Sequence, residues 1–421
     1  MQVIKNKFAP SQIQLFIIIS FLIIGTILRL IWAMDMEWKN EEIWTFEQAR
    51  KIATGEIPLP TIGILSSIGI PQGGLSMWCF AAIATLSEDP VAMVRWIGGM
   101  NSLVLWLFFA FILRQIAANE RESWLWGIAI ASVNPFAILF SRKIWIPDIL
   151  APFCFLSFIG HWFRRKFWGS FLWGCFTLLS GQIHLGGFVF TAGFFLWTIW
   201  HDYRQKALKK ISWLGWLCGS FVAGIPMLFW LIEALPQWQG ARSSIVGLLV
   251  PKFYSQWLTA ALGVNMSYSL KDVFWSDFLR EPIVWGFPTY LMILAHLFLV
   301  GIGLYPFYQW LRTSRRFSWR KLIPQTGDSQ LLFYLKAMGL GVGGTFTLSA
   351  INFVPYYIPV VLPFPFCWLA RLYEKKIKIL LVIVLVQLFI SLTFLTFIHY
   401  TGGSENSDYG LTYRTQIELS Q

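Results

Sequence analysis

Apolar runs of roughly 18 to 25 residues recur along the whole chain, each long enough to cross a hydrocarbon core of about 30 Å. The remainder of the chain cannot cover them. Of 421 residues, 56% are hydrophobic and only 13% are charged, too little charge to clothe a water-soluble protein of that size. Trp, Tyr and Phe make up 18% of the residues, and many stand at the ends of the runs, where interfacial belts place amphipathic rings. The predicted class is an all-α polytopic membrane protein. The first run, Gln12 to Ala33, is longer than the apolar core of about 7 to 15 residues in a signal peptide. No small-residue cleavage site follows it, so it is read as a retained span. Cys79, Cys154, Cys175, Cys218 and Cys367 all lie in apolar stretches without metal-ligand spacing and read as packing residues.

Candidate spans lie near 12–33, 91–113, 122–140, 148–163, 167–181, 183–200, 211–232, 285–311, 331–351, 355–371 and 377–399, about eleven in all. The apolar stretch Gly74 to Leu86 is too short to cross unaided and is read as an interfacial or re-entrant helix. With the N-terminus inside, alternate loops carry 20 basic and five acidic residues, while the outer segments carry 12 basic and 16 acidic ones. That asymmetry is what the positive-inside rule requires. Counting 74–86 as a crossing inverts it. The net charge of +12 then belongs to loops facing anionic inner-leaflet lipids and implies no nucleic-acid partner. The chain reads as one transmembrane domain, 1–421. It has a long first outer loop (34–90), a second long outer loop (233–284) and a polar outer tail (402–421).

Candidate chemistry lies in the outer loops, where long ordered connections commonly carry function. The first begins Met34-Asp35-Met36-Glu37-Trp38-Lys39-Asn40-Glu41-Glu42, four carboxylates within eight residues. Neighbouring carboxylates raise one another's pKa and can share a proton or a divalent ion, which suits a general base; a solvated acidic loop entry fits the same pattern. A short outer loop, Ser141-Arg142-Lys143-Ile144-Trp145-Ile146-Pro147-Asp148, places Asp148 at a span entrance beside two cations. Arg142 and Lys143 form a candidate phosphate site; interfacial anchoring with Asp148 as a helix cap is the alternative. His184 stands at the same depth, as a packed histidine or a further ligand-binding group.

In this order, the residues resemble the membrane glycosyltransferases of the GT-C type, which include the protein O-mannosyltransferases and the aminoarabinose transferases. Members open the first outer loop with Asp-Glu, followed by an aromatic residue and an Ala…Gly stretch. Glu41-Glu42-Ile43-Trp44-Thr45-Phe46-Glu47-Gln48-Ala49-Arg50 and Gly55 are similar here. The segment Gly63 to Gly69 and the helix 74–86 resemble the bacterial branch. Ser141 to Asp148 is similar to the second acidic outer loop, and Tyr356-Tyr357-Ile358-Pro359 with Pro363 to a late aromatic pair before proline. The usual catalytic Asp is Glu41 here, so Glu37 and Glu42 stay open as alternatives for the base.

The resemblance implies a GT-C-like fold in a bacterial inner membrane, with the active site on the outer face. It implies transfer of a sugar from a polyprenyl-phosphate donor to a lipid, glycan or protein hydroxyl, with inversion. Glu41 would be the base, with Glu42 and Asp148 orienting the acceptor. Glu41 and Asp148 are also candidates to hold a divalent metal cation. Arg142, Lys143 and His184 would face the lipid phosphate, with Arg242, Lys252 and Arg280 as weaker candidates and Tyr356 and Tyr357 as substrate-binding residues. No Gly-rich loop ahead of a soluble α/β unit points to a nucleotide-sugar donor. The rival readings are a lipid or solute transporter and a non-catalytic assembly factor; spans seven to eleven show neither central acidic residues nor a clear repeat.

Overall fold

Local signals in the chain set where its helices begin. In the computed structural model, which describes residues 11–66, 69–237, 251–312, 322–325, 327–349, 351 and 353–421, Ser11 and Gln14 cap α1 (Gln12–Leu30) reciprocally. The Gln14 N–H donates to Ser11 Oγ at 3.2 Å and the Ser11 N–H to Gln14 Oε1 at 2.8 Å. The first long loop then folds into α2 (Asn40–Ala53), an antiparallel pair β1 (Ile62–Leu65) and β2 (Pro71–Gly73), and α3 (Leu75–Ala84). α3 is the expected short helix of segment 74–86. At 10 residues it spans about 15 Å, half a hydrocarbon core, and it packs on α2. α4 (Pro90–Gln115) starts where Asp89 accepts from the Val91 and Ala92 N–H groups, with Pro90 in the turn that needs no N–H.

The rest of the described chain is mostly helical. In order come α5 (Arg121–Val133), α6 (Pro135–Leu139), α7 (Leu150–Trp162), α8 (Phe167–Ile183), α9 (Gly186–Arg204) and α10 (Trp213–Ala234). Next are α11 (Lys252–Leu262), α12 (Ser267–Leu270), α13 (Asp272–Leu279) and α14 (Leu291–Arg312). α15 (Gln330–Lys336) and α16 (Gly343–Leu348) are joined by a π-helical turn, Ala337–Val342. α17 (Phe364–Leu372), α18 (Ile377–Thr401) and α19 (Tyr413–Ser420) complete the chain. The only sheets among the described residues are two-stranded hairpins, so the protein is all-α.

Among the described residues six helices are long and apolar enough to cross a membrane: Gln12–Leu30, Pro90–Gln115, Trp213–Gln237, Leu291–Gln309, Gln330–Leu348 and Ile377–Thr401. Of the other five expected spans, four are shorter or interrupted, and 183–200 forms α9, which has 19 residues but ends in the polar His201-Asp202-Tyr203-Arg204. The run 122–140 breaks at Asn134-Pro135, where proline removes an N–H and Asn134 Oδ1 restarts the helix by accepting from Ala137 N at 3.0 Å. Asn134 Nδ2 also donates to Ala260 O and Gln387 Oε1, and the Ala131 and Ser132 carbonyls freed at the break accept from Arg29. The run 285–311 is trimmed too: its first residues form a hairpin with Gly286 at φ +82°, and helix begins at Leu291. α1 meets α5 at Gly25, where a Cβ would overlap the Ser132 carbonyl, so only glycine permits that approach.

Described connections gather into two groups. At one end Arg164 pairs with Asp202 at 3.0 Å, Gln205 donates to Gln325 O and Glu122 accepts from Lys375 N. There the basic residues Arg164, Arg165 and Lys210 line an open cavity of about 290 Å³. The first loop, the α6–α7 turn, the α8–α9 connection, α12, the 3-10 turn Pro355–Val361 and the tail after α18 meet at the other end. Every candidate site residue that is described and lines a cavity lies at this second end.

Candidate functional site

The four carboxylates of the first loop, adjacent in sequence, have four different environments. α1 stops at Ile31, Trp32 takes a left-handed φ of 50° and a 3-10 turn, Ala33–Asp35, reverses the chain. That turn buries Asp35, which accepts from His399 Nδ1 at 2.5 Å and pairs with Arg414 Nε at 3.0 Å. Glu37 is also buried and forms ion pairs with both Lys39 and Lys143. Glu42 points inward from the first turn of α2, where its carboxylate accepts from the Lys39 N–H at 3.3 Å. Glu41, one position earlier on that helix, faces outward; it is exposed and accepts from Trp145 Nε1 at 2.7 Å.

Helical geometry explains the last split, because consecutive positions lie about 100° apart around the axis. Burial and the neighbouring Glu37 push the Glu42 carboxyl up to about 8, against the opposing pull of Lys143, Lys39 and the helix N-terminus. The unfolded chain would lose that proton near 4.5 while the folded chain holds it. The folded state therefore binds the extra proton between about pH 4.5 and 8, and stability falls as pH rises across that window. Glu42→Gln, which fixes the neutral form, should flatten this slope and stabilise the protein at pH 8 relative to the parent. Thermal unfolding of both proteins from pH 5 to 9 checks it, and parallel pH profiles would exclude the assignment.

The second acidic loop is built around Lys143. Asp148 Oδ2 accepts from the Lys143 N–H at 3.0 Å, closing the turn, and Asn101 Nδ2 donates to the Asp148 carbonyl at 2.8 Å. The Lys143 ammonium reaches Glu37 and lies over the rings of Phe140 and Trp145, 5.3 and 5.2 Å from their centroids. Burial disfavours its charge, but Glu37, Glu42 and Asp148 outweigh burial and hold the ammonium above its ordinary range. Arg142 turns the other way, into the end of α1, donating to the carbonyls of Leu28, Ile31 and Trp32 at 2.9, 2.6 and 3.0 Å. It closes the helix C-terminus and lines neither of the cavities described next, so the expected phosphate pair Arg142–Lys143 is divided.

Two open cavities meet at Glu41. The charged one, about 400 Å³, is lined by Lys39, Lys143, Glu37, Glu42, Tyr268 and Asp408 among others. The second, about 110 Å³, holds Thr45, Ser66, Gln72, His184 and Tyr357. Glu41, Trp145 and Tyr356 belong to both. His184 Nδ1 accepts from the Gly186 N–H at 3.2 Å, which leaves Nε2 as the protonated nitrogen of the neutral ring. Its ring packs edge-on against Tyr357 and Tyr356, at 5.1 and 6.2 Å between centroids.

Asp148 lines neither cavity; it is buried behind Lys143, with Oδ1 lacking a hydrogen bond. Glu41 and Asp148 thus engage different parts of one loop and do not converge on a shared point. Among the described residues no group of three or more His, Cys, Asp or Glu is placed to hold a metal ion. These residues do not fit a two-carboxylate cation site, and no step below is routed through one. Arg280 pairs with Asp277 at 3.4 Å, and neither it nor Lys252 lines either cavity. Arg242 lies outside the described residues. The sequence reading missed Lys39, Trp145, Gln72, Tyr268 and Asp408 as cavity residues. Trp145 carried a signal, a large aromatic between the basic pair and Asp148; Tyr268 and Asp408 carried none, being brought in by chain segments remote from the loops. Set against protein-family models and curated proteins, the chain matches none.

Proposed function

We propose that this chain is a GT-C-type glycosyltransferase that moves a sugar from a polyprenyl-phosphate donor to an acceptor hydroxyl, with inversion, at the outer face of a bacterial plasma membrane. The observation that carries this reading is the position of Glu41. It is the one carboxylate of the four in the first loop that is exposed and has no cation bonded to it, and it stands where two cavities meet. A base for an acceptor hydroxyl needs those properties, and a two-substrate reaction needs room on both sides of the reacting carbon.

The acceptor oxygen forms its bond to the anomeric carbon from the face opposite the leaving group. Its proton passes to the Glu41 carboxylate. The bond from the anomeric carbon to the phosphate oxygen breaks, and the electron pair leaves with the lipid phosphate. That leaving group needs hydrogen-bond donors and positive charge rather than a general acid. His184 Nε2–H and Gln72 line the second cavity, and Lys143 lies over the Trp145 ring that divides it from the first. An apolar pocket of about 60 Å³, walled by Val104, Phe108, Phe155, Phe158 and Phe194, shares Pro147 with the second cavity and Phe140 with the charged one; it is too small to hold an isoprenoid chain unless those side chains move apart.

About eleven crossings with the N-terminus inside follow from the charge asymmetry of the loops. A reporter fused after Arg121 is then expected to read cytoplasmic and one after Ser276 external; the reverse would overturn the orientation. The test of function is transfer of radiolabelled sugar from a panel of polyprenyl-phosphate donors to membrane acceptors by the reconstituted protein. Transfer that depends on Glu41 supports the reading. A parent that transfers from no donor overturns it and favours transport or assembly roles.

A further inference from the structure

The last twenty residues pack onto the first loop and close one side of the charged cavity. Tyr409 is the staple. Its N–H donates to the Ser269 carbonyl at 2.8 Å and its hydroxyl to the Asp35 carbonyl at 2.6 Å, tying α12 to the turn that follows α1. Around it the Tyr413 N–H donates to Met36 O at 3.2 Å, Gln416 Nε2 to Trp38 O at 2.6 Å, and Thr412 bridges to Glu37. Arg414 pairs with Asp35, and Lys39 Nζ donates to the Asp408 carbonyl. Asp408 thereby reaches the cavity wall, beside Tyr268 of α12.

The charges of that wall balance. Lys39 and Lys143 face the carboxylates of Glu37, Glu41 and Asp408, and Lys271 pairs with Asp408. A phosphate placed there would gain no net attraction, while a hydroxyl-rich neutral group finds both donors and acceptors. Asp408 Oδ1 is held by Lys271 at 2.7 Å, while Oδ2 and the Tyr268 hydroxyl make no hydrogen bond to protein among the described residues. Trp145, Tyr356, Tyr268 and Phe140 line the same space with aromatic surface suited to the apolar face of a pyranose ring.

We infer that Asp408 and Tyr268, positioned by the Tyr409 staple, form a subsite for the hydroxyl groups of an uncharged sugar. This rests on the glycosyltransferase reading in assigning the charged cavity to the carbohydrate acceptor and the second cavity to the phosphate-bearing donor. Asp408 accepts from a sugar hydroxyl, and Tyr268 offers its hydroxyl and ring.

The experiment is saturation-transfer NMR on the full chain in detergent, with a panel of uncharged methyl hexopyranosides and with inorganic phosphate as competitor. At least one glycoside is expected to bind the parent. Asp408→Asn should weaken that glycoside about tenfold, the scale of one hydrogen bond to a charged group. Phosphate should not displace it. Tyr409→Phe, which removes only the hydroxyl bond to Asp35, should weaken binding as well, and matched thermal unfolding of the variants separates this from loss of fold. Binding of no glycoside, displacement by phosphate, or unchanged affinity in Asp408→Asn would each overturn the subsite. In the transfer assay Asp408→Asn should raise the acceptor KM more than it lowers kcat. Glycoside binding with no transfer from any donor would leave the subsite standing and overturn the catalytic reading instead.

Discussion

Glu41→Gln is expected to lower sugar transfer by about 10²- to 10⁴-fold, the range that a positioned general base contributes. The substitution is close to isosteric, and its amide oxygen can still accept from Trp145 Nε1, so the loop should hold its shape. Glu41 is exposed, and removing its charge leaves no buried partner unpaired. The loss should therefore appear in kcat, with acceptor KM changed little. Glu47→Gln, on an exposed position of the same helix and away from both cavities, is the control for charge alone. Initial rates of reconstituted parent and variants decide the matter. A variant within a few-fold of the parent would remove Glu41 from the mechanism and return Glu42 and Asp148 to consideration.

The second large effect is structural. Lys143→Met should destabilise the protein by about 3–5 kcal/mol, the usual consequence of breaking a buried ion pair from one side. Lys143 and Glu37 are both nearly inaccessible to solvent, at 7% and 4% side-chain exposure, and Glu42 and Asp148 stand close enough to act on the ammonium. Without the cation, Glu37 keeps only Lys39, whose side chain is 36% exposed. The double variant Glu37→Gln/Lys143→Met should recover most of the loss, because neither charge is then buried alone. Chemical denaturation of the four proteins in a double-mutant cycle measures the coupling. A double variant no more stable than Lys143→Met would place the stabilising partner of Lys143 elsewhere, at Asp148 or Glu42.

The sequence by itself determined the all-α class of the protein and where its charged loops lie. Runs such as 12–33 and 377–399 are long and apolar enough to cross a membrane as helices, and hydropathy is additive along a chain, so it is legible one residue at a time. The short length of 74–86 was legible for the same reason. The first loop and the loop 141–148 were identifiable because they concentrate charge beside apolar runs. Where the chain breaks within a run was less clear: Asn134-Pro135 interrupts 122–140, the carbonyls it frees accept from Arg29, and the Asn134 amide bonds to Gln387 and Ala260, all residues far along the chain.

Only the tertiary structure decided what each charge does. Adjacent carboxylates at 41 and 42 differ because a helix turns one outward to a cavity and the other inward toward Glu37. Adjacent cations at 142 and 143 differ because one closes α1 and the other neutralises Glu37. Asp408 and Tyr268, separated by 140 positions, come together because Tyr409 bonds to two other segments at once and Lys271 pairs with Asp408. Burial and charge pairing depend on distances in space. Sequence order sets those distances only within a helical turn or two, and beyond that the packing of the bundle sets them.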